Sequence, residues 1–357
     1  MYIDPHVHCR DGKQAYKETI AHALSVAERA GLTAIFDMPN TDPSITSRKL
    51  VEERLGLARN AHSPVWYGLY MALTADMNQV KEAVETYREF EQVVGFKLYA
   101  GHSTGNIGVT KTRDQLRIYS TLRDLGYEGV VALHCEKERL IKKRWNPNKR
   151  ELVQDWNPEY PVTHAFARPP EAEIESVNDQ INFVEYTKFP GTIHVAHISV
   201  PEAVDLVQAA KKKGIRITCG TTPHHLLLDM SHMDEPDGLL YKMNPPLRPA
   251  MMVEKLFSYL KEGKIDWVET DHAPHTISDK INYPYFSGIP VLPFYPRFIE
   301  MLREEGFSEE QIRDLTFNNI VRTFCLDLQS RKAAPSLDIT GEYHFDPFVF
   351  MKTAAAS

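Results

Sequence analysis

The sequence predicts a (β/α)8 barrel over residues 1–330, with at most a reduced small β element from the chain ends and a tail, 331–357, that is partly packed or disordered. Three observations point there. Short β-branched or apolar runs occur eight times, stretches with helical periodicity separate them, and residues able to bind metal collect at the ends of the runs, where a parallel barrel places its active site. Length does not choose, because 357 residues with 43% hydrophobic content suit one large barrel or two ordinary domains.

The eight runs are 2–8, 32–38, 65–73, 93–99, 129–134, 192–199, 216–222 and 267–271. Helical patterns between them include 17–30, 77–91, 113–125, 171–187, 201–213 and 250–262. Gly31, Gly126 and Gly214 follow helices as C-terminal caps, and Pro201 opens a first turn with Ser199 as its expected N-cap. Three stretches depart from the repeat. Segment 146–170, rich in Pro, Asn and Trp, reads as an insertion of a length that is often functional or mobile. Segment 282–296 is rich in Pro and aromatic residues, and the tail ends in Thr353-Ala-Ala-Ala-Ser357, with 341–351 able to supply one strand or two.

Composition excludes several classes of function. With 41 basic and 48 acidic residues interspersed, and a net charge of −7, there is no basic stripe for nucleic acid. No run reaches the roughly 18 apolar residues of a membrane span. The four cysteines, Cys9, Cys135, Cys219 and Cys325, form no close pair, and Met1-Tyr2-Ile3-Asp4 lacks a basic start and apolar run, so a cytoplasmic protein is expected.

Side chains at i and i+2 share a strand face, which puts Asp4, His6, His8 and Arg10 on one side of the first run. Two imidazoles so spaced can reach one zinc ion. Lys97, in Gly95-Phe-Lys-Leu-Tyr99, is expected inside the barrel with Phe96 and Leu98 facing the helices. An ammonium buried there must be neutral, paired or chemically modified, and a carbamate would turn it into a carboxylate able to bridge two metals. His134, His197 and Asp271 lie at or near the ends of three further runs, whereas parity assigns His194 and His272 to the opposite face, as structural residues.

This constellation resembles the amidohydrolase superfamily with a binuclear metal centre, and its flanking residues resemble the dihydroorotases. The match runs through Asp4-Pro-His-Val-His-Cys-Arg-Asp-Gly12, Met38-Pro-Asn-Thr41, Gly95-Phe-Lys-Leu-Tyr99, Leu133-His-Cys-Glu136, Val195-Ala-His-Ile-Ser199, Thr222-Pro-His-His-Leu226, Met243-Asn-Pro-Pro-Leu-Arg248 and Thr270-Asp-His-Ala-Pro-His275. The resemblance implies two zinc ions: one held by His6, His8 and Asp271, the other by His134 and His197, with carbamylated Lys97 between them. It implies that Arg10, Asn40 and His275 hold a substrate carboxylate, that Asn244 lies near a pyrimidine ring, and that Thr104, in a Gly/Ser/Thr-rich loop, offers a hydroxyl. A planar guanidinium suits bidentate carboxylate binding, which supports Arg10 independently. His224 and His225 lie beside the site or are packed, and Arg168 admits a binding or a loop-to-helix role.

The implied reaction is reversible hydrolysis of the L-dihydroorotate ring amide to N-carbamoyl-L-aspartate, with Asp271 passing a proton to the leaving nitrogen. A hydantoinase or allantoinase is the nearest rival, and a non-catalytic barrel scaffold is a rival of another class. The resemblance leaves open whether one or two metals bind, and whether the chain forms a homodimer or associates with aspartate transcarbamoylase. Many relatives carry a β segment before the first barrel strand. This chain starts on the metal-bearing strand, so it belongs to a nearly all-barrel branch or has trimmed ends.

Overall fold

The computed structural model describes residues 1–102, 107–146, 151–328 and 341–349. Eight strands form one parallel sheet: β1 (Tyr2–Val7), β2 (Leu32–Asp37), β3 (Trp66–Ala72), β4 (Val93–Tyr99), β5 (Val130–His134), then, after the hairpin β6 (Lys143–Asn146) and β7 (Glu151–Gln154), β8 (Thr192–Val195), β9 (Ile217–Thr221) and β10 (Trp267–Val268). Their order, β1-β2-β3-β4-β5-β8-β9-β10, is that of a (β/α)8 barrel. Closure rests on a parallel bridge between Val7 and His272, where the His8 amide donates to the His272 carbonyl at 2.8 Å.

Helices surround the sheet, most of them on its outside. They include α1 (Ile20–Arg29), α2 (Arg48–Asn60), α3 (Met77–Glu89), α4 (Thr112–Asp124), α5 (Thr163–Ala167), α6 (Pro170–Thr187), α7 (Pro201–Lys212), α8 (Pro223–Leu227), α9 (Ala250–Lys261), α10 (Ile277–Ile281), α11 (Tyr295–Glu304), α12 (Glu309–Arg313) and α13 (Asn319–Phe324). None among the described residues is long and apolar enough to cross a membrane. Buried on both faces, the strands read as near-continuous apolar runs, as a sheet wrapped by helices requires. Outward residues such as Phe96, Leu98, Val131, Leu133, Ile193 and Val195 pack under the helices. Inside, Ile3, Phe36, Trp66, Tyr70, Val130 and Trp267 pack with Phe317, Ile320 and Phe324 of the C-terminal helices and plug the barrel. The polar residues Asp4, His6, Lys97, His134 and Glu269 are buried as well, and chemistry is confined to the end where the strands finish.

Several expectations need correction. The sixth strand stops at Val195 and the eighth at Val268, short of Ser199 and Asp271, because His197 (φ 40°) and Asp271 (φ 48°) turn out of extended backbone. Ser199 does not cap α7; Val200 holds that position, and the Ser199 hydroxyl donates to Glu173 instead. Segment 146–170 is not a plain loop, since it contains the strand β7 and the helix α5. Gly31, Gly126 and Gly214 do adopt the left-handed conformation of helix ends. Residues 341–349 make turns rather than a strand, and they are anchored by Phe348 stacked on Phe294 (centroids 3.8 Å apart) and by Glu342 on His22 (2.9 Å).

Candidate active site

The metal-type donors meet at the mouth. Asp4 on β1 accepts the Thr270 amide (3.0 Å) and the Thr270 hydroxyl, which ties the first strand to the turn after β10. That tie brings His6 Nε2 to 3.3 Å, and His8 Nε2 to 2.9 Å, from the same oxygen of Asp271. Ligand atoms of His6, His8 and Asp271 all lie within 4.8 Å of one another. Across the cavity, His134 Nδ1 and His197 Nε2 are 3.2 Å apart, so both rings aim at one point. Lys97, His6, His8, His134, His197 and Asp271 line this cavity with Arg10, Asn40, Tyr99 and Asn244. Lys97 Nζ is buried, 5.5 Å over the Tyr99 ring, and makes no hydrogen bond among the described residues; the same holds for His197 Nδ1.

Burial governs the protonation states. It pushes the Lys97 amine down to about 8 although Glu269 and Asp271 favour the cation. Desolvation lowers His6 to about 4, with Lys97 assisting, and lowers His8, His134 and His197 as well. The imidazoles are therefore neutral at pH 7, with lone pairs available to a cation. Burial opposes ionisation of Asp271, but His6 and His8 outweigh it and hold the carboxyl well below its usual range. Neutral imidazoles, an ionised carboxylate and a lysine short of a partner form a donor set that fits two divalent ions sharing a bridging group.

Residues missed by the sequence reading hold these donors in place. Glu269, two positions before Asp271 and just past β10, accepts the His197 amide (2.5 Å), His194 Nε2 (3.1 Å) and the Trp267 indole (3.1 Å), and lies 3.4 Å from His6 Nδ1. The signal was present: a buried acid beside a metal-type aspartate needs several donors. Glu136, two residues past β5's closing residues, faces His134 Nε2 at 3.0 Å and is gripped by Arg168 through Nε at 2.9 Å. His194 was expected on the outer face. Instead it stacks on interior Trp267 (4.2 Å), and His197 joins the site only because its left-handed backbone reverses the parity of a regular strand. His272 is structural as expected, accepting the Val291 and Leu292 amides at 3.1 Å and facing Glu18 at 3.1 Å. His225 spans Thr222 (2.9 Å) and the Pro245 carbonyl (3.1 Å), whereas neither ring nitrogen of buried His224 has a partner among the described residues.

Around the rim, Arg10 (φ 51°) is buried, its Nε donating to the Pro274 carbonyl at 3.3 Å and its Nη2 3.0 Å from His275 Nε2. Asn40 Oδ1 sits 2.6 Å from His8 Nδ1. Asn244 Oδ1 lies 3.0 Å from Nε2 of His164, a buried residue of α5, so the 146–170 segment reaches the site through this pair. Thr104 lies outside the described residues.

A barrel whose mouth gathers such donors around a buried lysine defines the class: a metal-dependent amidohydrolase. Comparison with known proteins agrees. The chain is 32% identical over 337 residues to a dihydroorotase of Halobacterium salinarum, covering 93% of this chain and 73% of that one. Among solved structures, an L-hydantoinase from Arthrobacter aurescens superposes with a TM-score of 0.77 at 20% identity, covering 95% of this chain and 74% of that one. A dihydroorotase from Saccharomyces cerevisiae in complex with 5-fluoroorotic acid does so with a TM-score of 0.71 at 18% identity, covering 93% and 85%. No family model matches. The chain belongs to the dihydroorotase family, hydrolases of a cyclic amide bond.

Proposed function

We propose that this site catalyses the reversible hydrolysis of L-dihydroorotate to N-carbamoyl-L-aspartate, a step of pyrimidine synthesis. One observation carries the reading: in the cavity that both groups of donors line, Lys97 Nζ is buried without a hydrogen-bond partner among the described residues. As a carbamate it would carry two oxygens and a negative charge, one for each side of the cavity. His6, His8 and Asp271 would hold one zinc ion and His134 and His197 the other. Bound there, such ions lower the pKa of water towards about 7 and polarise an amide carbonyl.

The chain's own groups do the rest. Asp271, ionised at neutral pH, accepts a proton from the attacking water and returns it to the leaving ring nitrogen. Arg10, Asn40 and His275 bind the substrate carboxylate at the rim, Asn244 faces the ring, and Thr104 supplies a loop hydroxyl. Hydantoin, the nearest alternative substrate, has no carboxylate for Arg10 to hold. Residues 1–330 form the catalytic unit and 331–357 a tail, in a cytoplasmic enzyme; sedimentation, alone and with aspartate transcarbamoylase, tests for a homodimer and for that association.

The deciding experiment combines metal analysis with turnover of dihydroorotate, hydantoin and allantoin. Bound zinc and preference for dihydroorotate are expected. Absence of bound zinc, with Lys97→Ala hydrolysing dihydroorotate normally, would overturn the mechanism.

A further inference from the structure

Lys17, in the segment between β1 and α1, has a side chain only 2% exposed. Its Nζ lies 3.1 Å from His275 Nδ1, 3.4 Å from Asp279 Oδ2 and 3.7 Å above the centroid of the Phe286 ring, on which His275 itself stacks (5.2 Å, 14°). The carboxylate of Asp279 is 3.9 Å from His275 Nδ1, too far for a hydrogen bond, and the ammonium is the group in contact with both.

These contacts select the state of the imidazole. An ammonium has three donors and no acceptor, so Nδ1 must be the lone-pair nitrogen of a neutral ring. The proton then sits on Nε2, which faces the Ser287 carbonyl at 3.1 Å. In the opposite tautomer, Nδ1–H would meet the ammonium and the Nε2 lone pair would meet the Ser287 oxygen, leaving Arg10 as the one satisfied neighbour. In the selected tautomer Nε2 of His275, 3.0 Å from Nη2 of Arg10, carries the proton and cannot accept from it. An anionic oxygen at the rim would accept from that Arg10 N–H instead.

We propose that Lys17 is a positioning residue for carboxylate recognition: by donating to Nδ1 of His275 it fixes the Nε2–H tautomer, whose proton faces the Ser287 carbonyl, so that Nε2 cannot accept from Arg10 and the Arg10 guanidinium is left to an anionic substrate oxygen. The inference rests on the reading of Arg10 and His275 as the carboxylate site, and it adds a residue that does not itself touch substrate. Loss of Lys17 lets Nε2 become the acceptor for Arg10, which takes that Arg10 donor out of use.

The test is the tautomer of His275 in the zinc-loaded enzyme, read by nitrogen-15 spectroscopy with the signal assigned through its loss in His275→Asn, together with steady-state kinetics. Wild type should show Nε2–H. Lys17→Met should shift the ring towards Nδ1–H and raise KM for dihydroorotate roughly tenfold, the scale of one charge-assisted hydrogen bond, with kcat and zinc content little changed. Lys17→Arg should restore most of the loss. An Nδ1–H ring in the wild type, or a Lys17→Met enzyme with unchanged tautomer and KM, overturns the proposal, and the wild-type spectrum decides even if the variant fails to fold. Arg10→Ala separates the two readings. If it leaves KM for dihydroorotate unchanged, the carboxylate site itself is wrong; if it raises KM while Lys17→Met has no effect, only the role of Lys17 falls.

Discussion

Asn40 Oδ1 accepts from His8 Nδ1 at 2.6 Å, and this single bond turns the other nitrogen of that ring, Nε2, towards Asp271 at 2.9 Å. A side chain placed by resemblance at the substrate thus also sets the tautomer of a metal-type histidine. Outer partners of this kind are worth about 10- to 100-fold in metal affinity. Asn40→Ala should therefore weaken zinc retention by about that factor, measured by chelator competition, as well as alter KM. A variant with raised KM and unchanged zinc affinity would confine Asn40 to substrate binding.

Lys97 carries a pH dependence with a definite sign. Its folded amine titrates at about 8, below the ordinary 10.5, because burial disfavours the cation. Below about pH 8 both folded and unfolded chains are protonated and the full penalty applies. Between about 8 and 10.5 the unfolded chain binds more protons, so stability of the metal-free protein rises with pH across that window. Metal-free Lys97→Met should exceed metal-free wild type by about 3 kcal/mol at pH 7, with the gap closing towards pH 10.5, as urea denaturation would report. Since only the neutral amine attacks CO2 to form a carbamate, a fixed concentration of dissolved CO2 should speed zinc loading more at pH 8.5 than at about 6.5, a difference read from the recovery of activity.

Glu269 accepts from His197, His194 and Trp267 in a buried spot, with His6 Nδ1 3.4 Å away. Glu269→Ala strands all of them, and breaking a buried charged network typically costs about 3–5 kcal/mol. The denaturant midpoint should fall accordingly, with zinc binding at His197 lost earlier than that at His8. A fall below about 1 kcal/mol would mean that the three donors find other partners.

Gly101 lies two residues past β4, where a Cβ would lie 1.9 Å from the Glu136 carbonyl oxygen. Gly101→Ala must therefore displace either this turn or the Glu136 backbone, which carries the partner of His134. Expected is a kcat loss of about tenfold or more with the barrel intact by circular dichroism, since small misplacements near reacting groups are costly. Normal turnover would show that the turn yields without moving Glu136.

Much of the architecture was legible because side-chain alternation in strands has a fixed period of two. That period placed His6 and His8 on one face and separated Lys97 from Phe96 and Leu98, and the eight runs correspond to the eight strands of the sheet. The same rule misled at His194, because it holds only while the backbone stays extended and the chain turns at His197. His164 was illegible for another reason. Its partner Asn244 is 80 residues away, and no local pattern signals that contact.

By itself the sequence determined which residues can chelate, since donor chemistry and strand parity are local properties. Which of them meet was decided by tertiary structure. Asp4 ties β1 to Thr270, 266 residues on, and so delivers Asp271 to His6 and His8. Lys17 reaches His275 across 258 residues. Barrel closure brings the first and last strands together, and burial there removes water as a competing partner, which leaves each tautomer and each charge to be set by its neighbours.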